Sequence, residues 1–123
     1  MTQVQITIDA THSDYSVCLD TDHDGQRHEK RIQKDKEATV HANLLRAAIE
    51  GFRALNRPCM VDVYTRSEYV VEPFRNGWIG NWEKHGWKNA KGKEVRNAEL
   101  WKELRKVTAP HSVRYLYQSE GNK

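Results

Sequence analysis

Residues 77–104 read GWIGNWEKHGWKNAKGKEVRNAELWKEL, and the rest of the chain is interpreted outward from them. All four tryptophans lie here, Trp78, Trp82, Trp87 and Trp101, interleaved with Lys84, Lys88, Lys91, Lys93 and Arg96. Trp78 and Trp82 are four apart and share one face of a helix. Gly86 ends that helix, and a mobile lysine-rich loop follows. Asn97 is placed to cap a second helix, with Glu99 in its first turn and Leu100, Leu104 and Val107 as its expected buried stripe. Rings beside a basic loop suit a phosphate backbone, because the rings brace the surface and the cations displace counterions. The same pattern also describes a tryptophan-packed corner beside a solvated loop, since aromatic residues at helical spacing are usually core. Composition leaves both readings open.

Upstream, residues 59–65 form a short apolar strand, and Ser67 opens a helix running toward Pro73. Residues 39–55 make the clearest helix, with Leu45, Ala48, Ile49, Phe52 and Leu55 on one stripe and Thr39 as its cap. Asn56-Arg57-Pro58 breaks it. At the start, Val4, Ile6 and Ile8 alternate with Gln3, Gln5, Thr7 and Asp9, the signature of a strand with one wet face. Tyr15, Val17 and Leu19 repeat that alternation. The turn Asp22-His23-Asp24-Gly25 then returns residues 26–33 as a polar third strand. Downstream, Val113 to Tyr117 is a last strand, and the final residues read as frayed. The order is βββαβα(α)αβ, an α/β chain whose mixed sheet must be covered by its crossover helices on at least one face.

With 123 residues the chain reads as one domain, 1–123, able to bury roughly two thirds of its surface. Charged residues are 30% and the formal net charge is +3, a mild bias toward polyanions. Cys18 and Cys59 are far apart without metal-ligand spacing and read as reduced thiols. No signal peptide and no apolar run of about 18 residues occurs. A cytoplasmic chain without a membrane span is the expectation.

Asp20-Thr21-Asp22-His23-Asp24-Gly25 has the D-x-D-x-D-G opening of a calcium loop. Such a loop also needs an apolar residue two places past the glycine and a bidentate Glu at its twelfth position. Arg27 and Arg31 stand there instead, so the segment reads as a solvated hairpin turn, with His23 and His28 exposed.

Three segments together carry a family resemblance. They are W-x-x-x-W-x-x-x-G-W-K from Trp78, V-R-N-A-E-L-W from Val95, and the upstream run Tyr64-Thr65-Arg66-Ser67-Glu68-Tyr69-Val70. With Ala47-Ala48-Ile49 and a first strand ending in Asp9, they resemble type 1 ribonuclease H, and residues 77–104 resemble its substrate "handle". The resemblance implies a ribonuclease H-like mixed five-stranded sheet with helices mainly on one face. It also implies hydrolysis of the RNA strand of an RNA/DNA hybrid by two magnesium or manganese ions held in a carboxylate cluster.

That cluster is degenerate here. The family's acids sit on the opening strand, on the first helix, at the end of the fourth strand, and after the last strand near a closing helix. Asp9 fills the first place. Alignment on Ala47-Ala48-Ile49 puts Leu44 at the second, and alignment on Tyr69-Val70 puts Arg66 at the third. Lys123 comes before a fourth, so the closing helix is expected to be absent. One carboxylate cannot hold two divalent cations about 4 Å apart. Glu50, Asp62, Glu68 and Glu72 are the acids left for a relocated site. Asp62 shares the sheet face of Asp9 but is set back about 13 Å from the strand end.

Arg66 beside Asp9 could form a charge-assisted contact that replaces the metal's charge, leaving a site that grips phosphate without cutting it. A solvated strand-end arginine is the plainer reading. Gln5, Thr7, Asp9, Ser16, Cys18, Asp62, Tyr64 and Arg66 would form one mostly polar sheet face, free to stand in water or to meet another copy. Ser67 and Asn97 match family positions that contact the hybrid. Trp78, Trp82 and Lys84 match the handle, with Lys88, Lys91 and Lys93 in its loop, while Trp87 and Trp101 are expected to be structural. The expectation is a ribonuclease H-like module that binds an RNA/DNA hybrid or duplex, with catalysis lost and no resident cofactor. The alternatives are an active ribonuclease H using relocated or partner-supplied acids, and an interaction scaffold or homodimer without nucleic acid.

Overall fold

The computed structural model describes residues 2–23 and 25–118. In chain order these form β1 (Thr2–Ala10), β2 (Asp14–His23), β3 (Gln26–Asp35), α1 (Val40–Arg53), β4 (Cys59–Thr65), α2 (Glu68–Arg75), α3 (Trp78–Lys84), α4 (Ala98–Thr108) and β5 (Ser112–Tyr117). The strands share one mixed sheet of order β3-β2-β1-β4-β5. β1, β2 and β3 pair antiparallel, whereas β4 runs parallel to both β1 and β5.

Strict alternation divides the sheet into two faces. Val4, Ile6, Ile8, Val17, Leu19, Val61 and Val63 all point to one side and are buried there with α1, α2 and α4. α1 lies closest. A Cβ added at Gly51 would come within 3.0 Å of Val17 Cγ2 and 3.2 Å of Ile6 Cγ2, so that glycine sets the helix-to-sheet spacing. Thr39 caps α1 as expected, its hydroxyl accepting from the Ala42 N–H at 3.1 Å. Asn43 is wholly buried and donates to the carbonyls of Thr11 and Lys36, both at 2.9 Å, tying the helix to the turns that flank β2 and β3.

On the other side the register is Gln5↔Asp62, Thr7↔Tyr64, Asp9↔Ser16, Thr7↔Cys18 and Cys18↔Arg31. No helix among the described residues covers that face. Its charges meet partners within the sheet: Arg114 grips Asp62 with two bonds of 2.9 Å, and Arg27 holds Asp20 at 2.6 and 3.1 Å.

Four details differ from the sequence expectation. α2 continues through Pro73 to Arg75, because the proline removes one intrahelical bond while Val70, Val71 and Pro73 itself are buried. The buried stripe of α4 is Ala98, Trp101, Leu104 and Thr108, with Leu100 and Val107 only partly covered. Trp101, 1% exposed, outweighs the two aliphatic residues and rotates the helix toward itself. Asn97 occupies the N-cap position in a left-handed conformation (φ +61°) and makes no side-chain cap bond. The hairpin expected with its turn at Asp22–Gly25 is present, but β2 runs on to His23 and closes through the His23↔Gln26 pair, so Asp22 and His23 are strand residues. Asp24 lies outside the described residues, as do 119–123 and the fraying expected of them.

Candidate nucleic-acid interface

Where β1 and β4 end side by side, the sheet opens into a cleft of about 400 Å³. Asp9 reaches it from the end of β1 and Arg66 from just past β4. Arg31 enters from β3 opposite Cys18, and Leu44 and His41 come from the first turns of α1. Ser67 lines it too, its N–H bonded to Thr65 Oγ1 at 3.1 Å. Asp9 is exposed and accepts from the Ala10 N–H at 2.9 Å. Leu44 is buried, 6% exposed, and forms an apolar wall where the resemblance expects a second carboxylate.

The acids available for relocation are elsewhere. Lys34 binds Glu50 at 2.9 Å, Arg114 holds Asp62, and Glu72 accepts from the Tyr117 hydroxyl and from Asn76. Tyr117's hydrogen bond keeps the Glu72 carboxyl below its usual range, while the Tyr117 phenol is pushed up to about 12. Glu68 does not line the cleft either. Among the described residues Asp9 is the single carboxylate there, and Arg31 and Arg66 line the same cleft. That donor set does not fit a pair of divalent cations, which need several shared carboxylate oxygens.

One other trio brings metal-ligand atoms together: Cys18, Asp20 and Glu29, all within 4.8 Å. Arg27 already occupies Asp20 and lowers its pKa, and the Cys18 thiol donates to Glu29 at 3.4 Å. Burial, then the Glu29 carboxylate, raises the Cys18 pKa, so in the absence of a metal the sulfur stays protonated. The trio is a network of strand-face contacts.

A second concavity, about 620 Å³, runs between α3 and the turn after it, lined by Trp78, Asn81, Trp82, His85, Lys88, Asn89 and Ala90. The two helix-sharing tryptophans divide their roles. Trp78 is 44% exposed at the groove, whereas Trp82 leans inward against Trp87 at 6.2 Å and Trp101 at 5.8 Å. Trp101 is fully buried, as expected of a structural ring, whereas Trp87 is only partly covered, as Trp82 is. Lys84, Lys88, Lys91 and Lys93 are all exposed around them.

The basic segment has a defined local backbone. Gly86 (φ +67°) and Trp87 (φ +65°) turn the chain, and the Val95 N–H closes it onto the Trp87 carbonyl at 2.9 Å. Asn89 Oδ1 accepts from the amides of Lys91 and Lys93 at 2.9 and 3.1 Å, and Gly92 (φ +78°) completes the tight turn. An Asn three residues before a Gly is the sequence signal for such a turn.

Between cleft and groove stands Tyr69. Its hydroxyl accepts from Asn97 Nδ2 at 3.0 Å and Trp101 Nε1 at 3.2 Å, and donates to the Arg96 carbonyl at 3.4 Å. His41 stacks on its ring at 4.0 Å. Asn97 is therefore a side chain held in place from outside its helix, which replaces the capping role. Sequence reasoning passed over Arg31, His41 and Tyr69. Arg31 was recoverable, because a hairpin closing at His23↔Gln26 sets Cys18 against Arg31.

Strand order, one-sided helices and a tryptophan-rich corner define a ribonuclease H-like fold. The chain belongs to the RNase H family, whose pattern it matches over residues 7–118. Ribonuclease H of Thermus thermophilus is 45% identical over 91 residues, 73% of this chain and 55% of that protein. The ribonuclease H of Chlorobium luteolum is 48% identical over 71 residues, covering 58% of this chain and 49% of that protein. The chain thus spans about half the length of these relatives. Among solved structures, LC9-RNase H1, described as a type 1 RNase H with the type 2 active-site motif, superposes with a TM-score of 0.79 at 21% identity. That match covers 99% of this chain and 65% of the other. A foamy viral protease-reverse transcriptase in complex with RNA/DNA hybrid gives 0.75 at 15% identity, over 95% of this chain and 17% of that one. No helix among the described residues is long and apolar enough to cross a membrane.

Proposed function

We propose that this chain binds an RNA/DNA hybrid or a related duplex across the Trp78 groove and the Asp9 cleft, and that its own cleft residues do not hydrolyse the strand they hold. One observation carries the reading. In a family whose chemistry needs clustered carboxylates, this cleft offers Asp9 alone among the described residues, with the buried Leu44 and Arg66 lining it too. Support for a nucleic-acid ligand comes from the family and from the foamy viral relatives of the fold, described in complex with RNA/DNA hybrid and with dsDNA. A hybrid is recognised through groove shape, phosphates and 2′-hydroxyls, and the exposed lysines, Ser67 and the Tyr69-held Asn97 are groups of that kind. No metal or other cofactor belongs to this reading.

The second reading is an active ribonuclease H, using magnesium or manganese, with the remaining acids supplied from outside the described residues or by a partner. It is favoured by the relatives, which are themselves named Ribonuclease H. A third, a scaffold or homodimer joined through the helix-free sheet face, is weakened by the internal pairing of Asp20 and Asp62 on that face. Binding of labelled hybrid, duplex and single strand across a salt series tests the proposal. Affinity that falls steeply with salt and favours hybrid or duplex supports it. A flat response returns the chain to the scaffold reading.

A further inference from the structure

In the sequence Arg31 figures only as the residue that spoils the calcium-loop motif, yet the hairpin register brings it to the same cleft as Arg66. The two guanidiniums arrive from opposite sides, β3 and the end of β4, and both are exposed. Among the described residues Asp9 is the one carboxylate of the lining, and the formal charge of those described groups is positive, opposite in sign to what a dication requires. Guanidiniums are weakly hydrated forks whose paired N–H groups match two phosphate oxygens, and they carry their charge at any working pH. The cleft is also polar at its rim, where Ser16 and Ser67 contribute hydroxyls, and apolar at its wall, where Leu44 excludes a second acid.

We propose, on the strength of the nucleic-acid reading above, that the Asp9 cleft is a metal-independent phosphodiester clamp: Arg31 and Arg66 take a backbone phosphate at the place where the family would hold cations. The clamp gives Asp9 an inverted sign. In a metal site its carboxylate recruits the ion that binds phosphate, so removing the charge weakens binding. In an arginine clamp the carboxylate repels the phosphate, so removing it tightens binding.

The test is hybrid binding by the full chain in excess chelator and in magnesium, read as affinity and as the slope of log affinity against log salt. In chelator, Arg31→Ala and Arg66→Ala should each weaken binding about tenfold, the scale of a lost charged hydrogen bond. Each should also reduce the slope by about 0.9, one phosphate contact. Asp9→Asn should bind hybrid severalfold more tightly than the unsubstituted chain. Inorganic phosphate titrated against isotope-labelled protein should move the Arg31 and Arg66 signals saturably. Affinity that depends on magnesium, or that Asp9→Asn lowers, overturns the clamp. So do arginine variants that bind as the unsubstituted chain does while Trp78→Ala and Lys88→Ala fail, an outcome that leaves the broader reading standing. If no hybrid binds at all, that reading falls, and a phosphate titration without saturation removes the clamp as well.

Discussion

Tyr69 does more than its place in a short helix suggests. Its hydroxyl is the shared partner of Asn97 and of the buried Trp101 indole N–H. Tyr69→Phe keeps the ring and the His41 stack but strands that indole donor, at a cost of about 1–3 kcal/mol in chemical denaturation. Asn97 loses its anchor in the same variant, so hybrid affinity should fall with it, whereas a purely packing role would leave affinity unchanged. His111 supplies a pH prediction. Its Nδ1 accepts from the Cys59 N–H at 3.0 Å, and burial lowers its pKa below the ordinary 6.5. As pH falls through 6.5 the unfolded chain takes up a proton that the fold refuses, so stability declines with acid and is recovered on the alkaline side. Thermal melts between about pH 8 and pH 5 should show this decline, and His111→Gln should flatten it. At this scale the sequence was legible where a residue acts through its own element, as Thr39 does. It was not legible where action depends on a neighbour distant in the chain. Asn97 carries the signature of a cap, and the tyrosine 28 residues earlier that redirects it leaves no local trace.

Elements were the most readable level, because apolar alternation and helical stripes are set by which face each segment must bury. β1, β2, β4 and α1 follow their patterns closely. α4 did not, since periodicity counts apolar positions without weighing them, and one tryptophan turned the helix away from Leu100 and Val107. The basic turn was hard to read for a different reason: lysine content says nothing of backbone conformation, which Asn89 and Gly92 shape locally. Gly51 makes a prediction that belongs here. α1 rests against β1 and β2 so closely that a methyl group at Gly51 would press within 3.0–3.3 Å of the Val17 and Ile6 side chains, which would have to give by a few tenths of an ångström. Gly51→Ala therefore sets helix propensity against overpacking, and overpacking by about 1–3 kcal/mol is the larger effect. A rise in stability on that substitution would mean that the helix stands further off the sheet than this spacing.

For the whole molecule, the fold was legible because a family pattern of such length ties the handle to the sheet. Function was legible only as a mismatch between that pattern and the charges in its cleft. Leu44 and Arg66 stand in the cleft where the resemblance expects acids, one a buried wall and the other a cation, and Arg31 adds a second cation through the hairpin register. Reversing the two substitutions should reverse the chemistry. Leu44→Glu with Arg66→Asp would give the cleft three carboxylates with Asp9, and should lower magnesium-free affinity for hybrid while creating saturable magnesium binding, measurable by calorimetry. The account as a whole rests on a grip without a cut. Its most direct test is incubation of the purified chain with an end-labelled RNA/DNA hybrid in magnesium or manganese, beside Asp9→Asn. The expected result is retained, salt-sensitive binding with the RNA strand intact in both proteins; RNA cleaved by the unsubstituted chain and left whole by Asp9→Asn would contradict it.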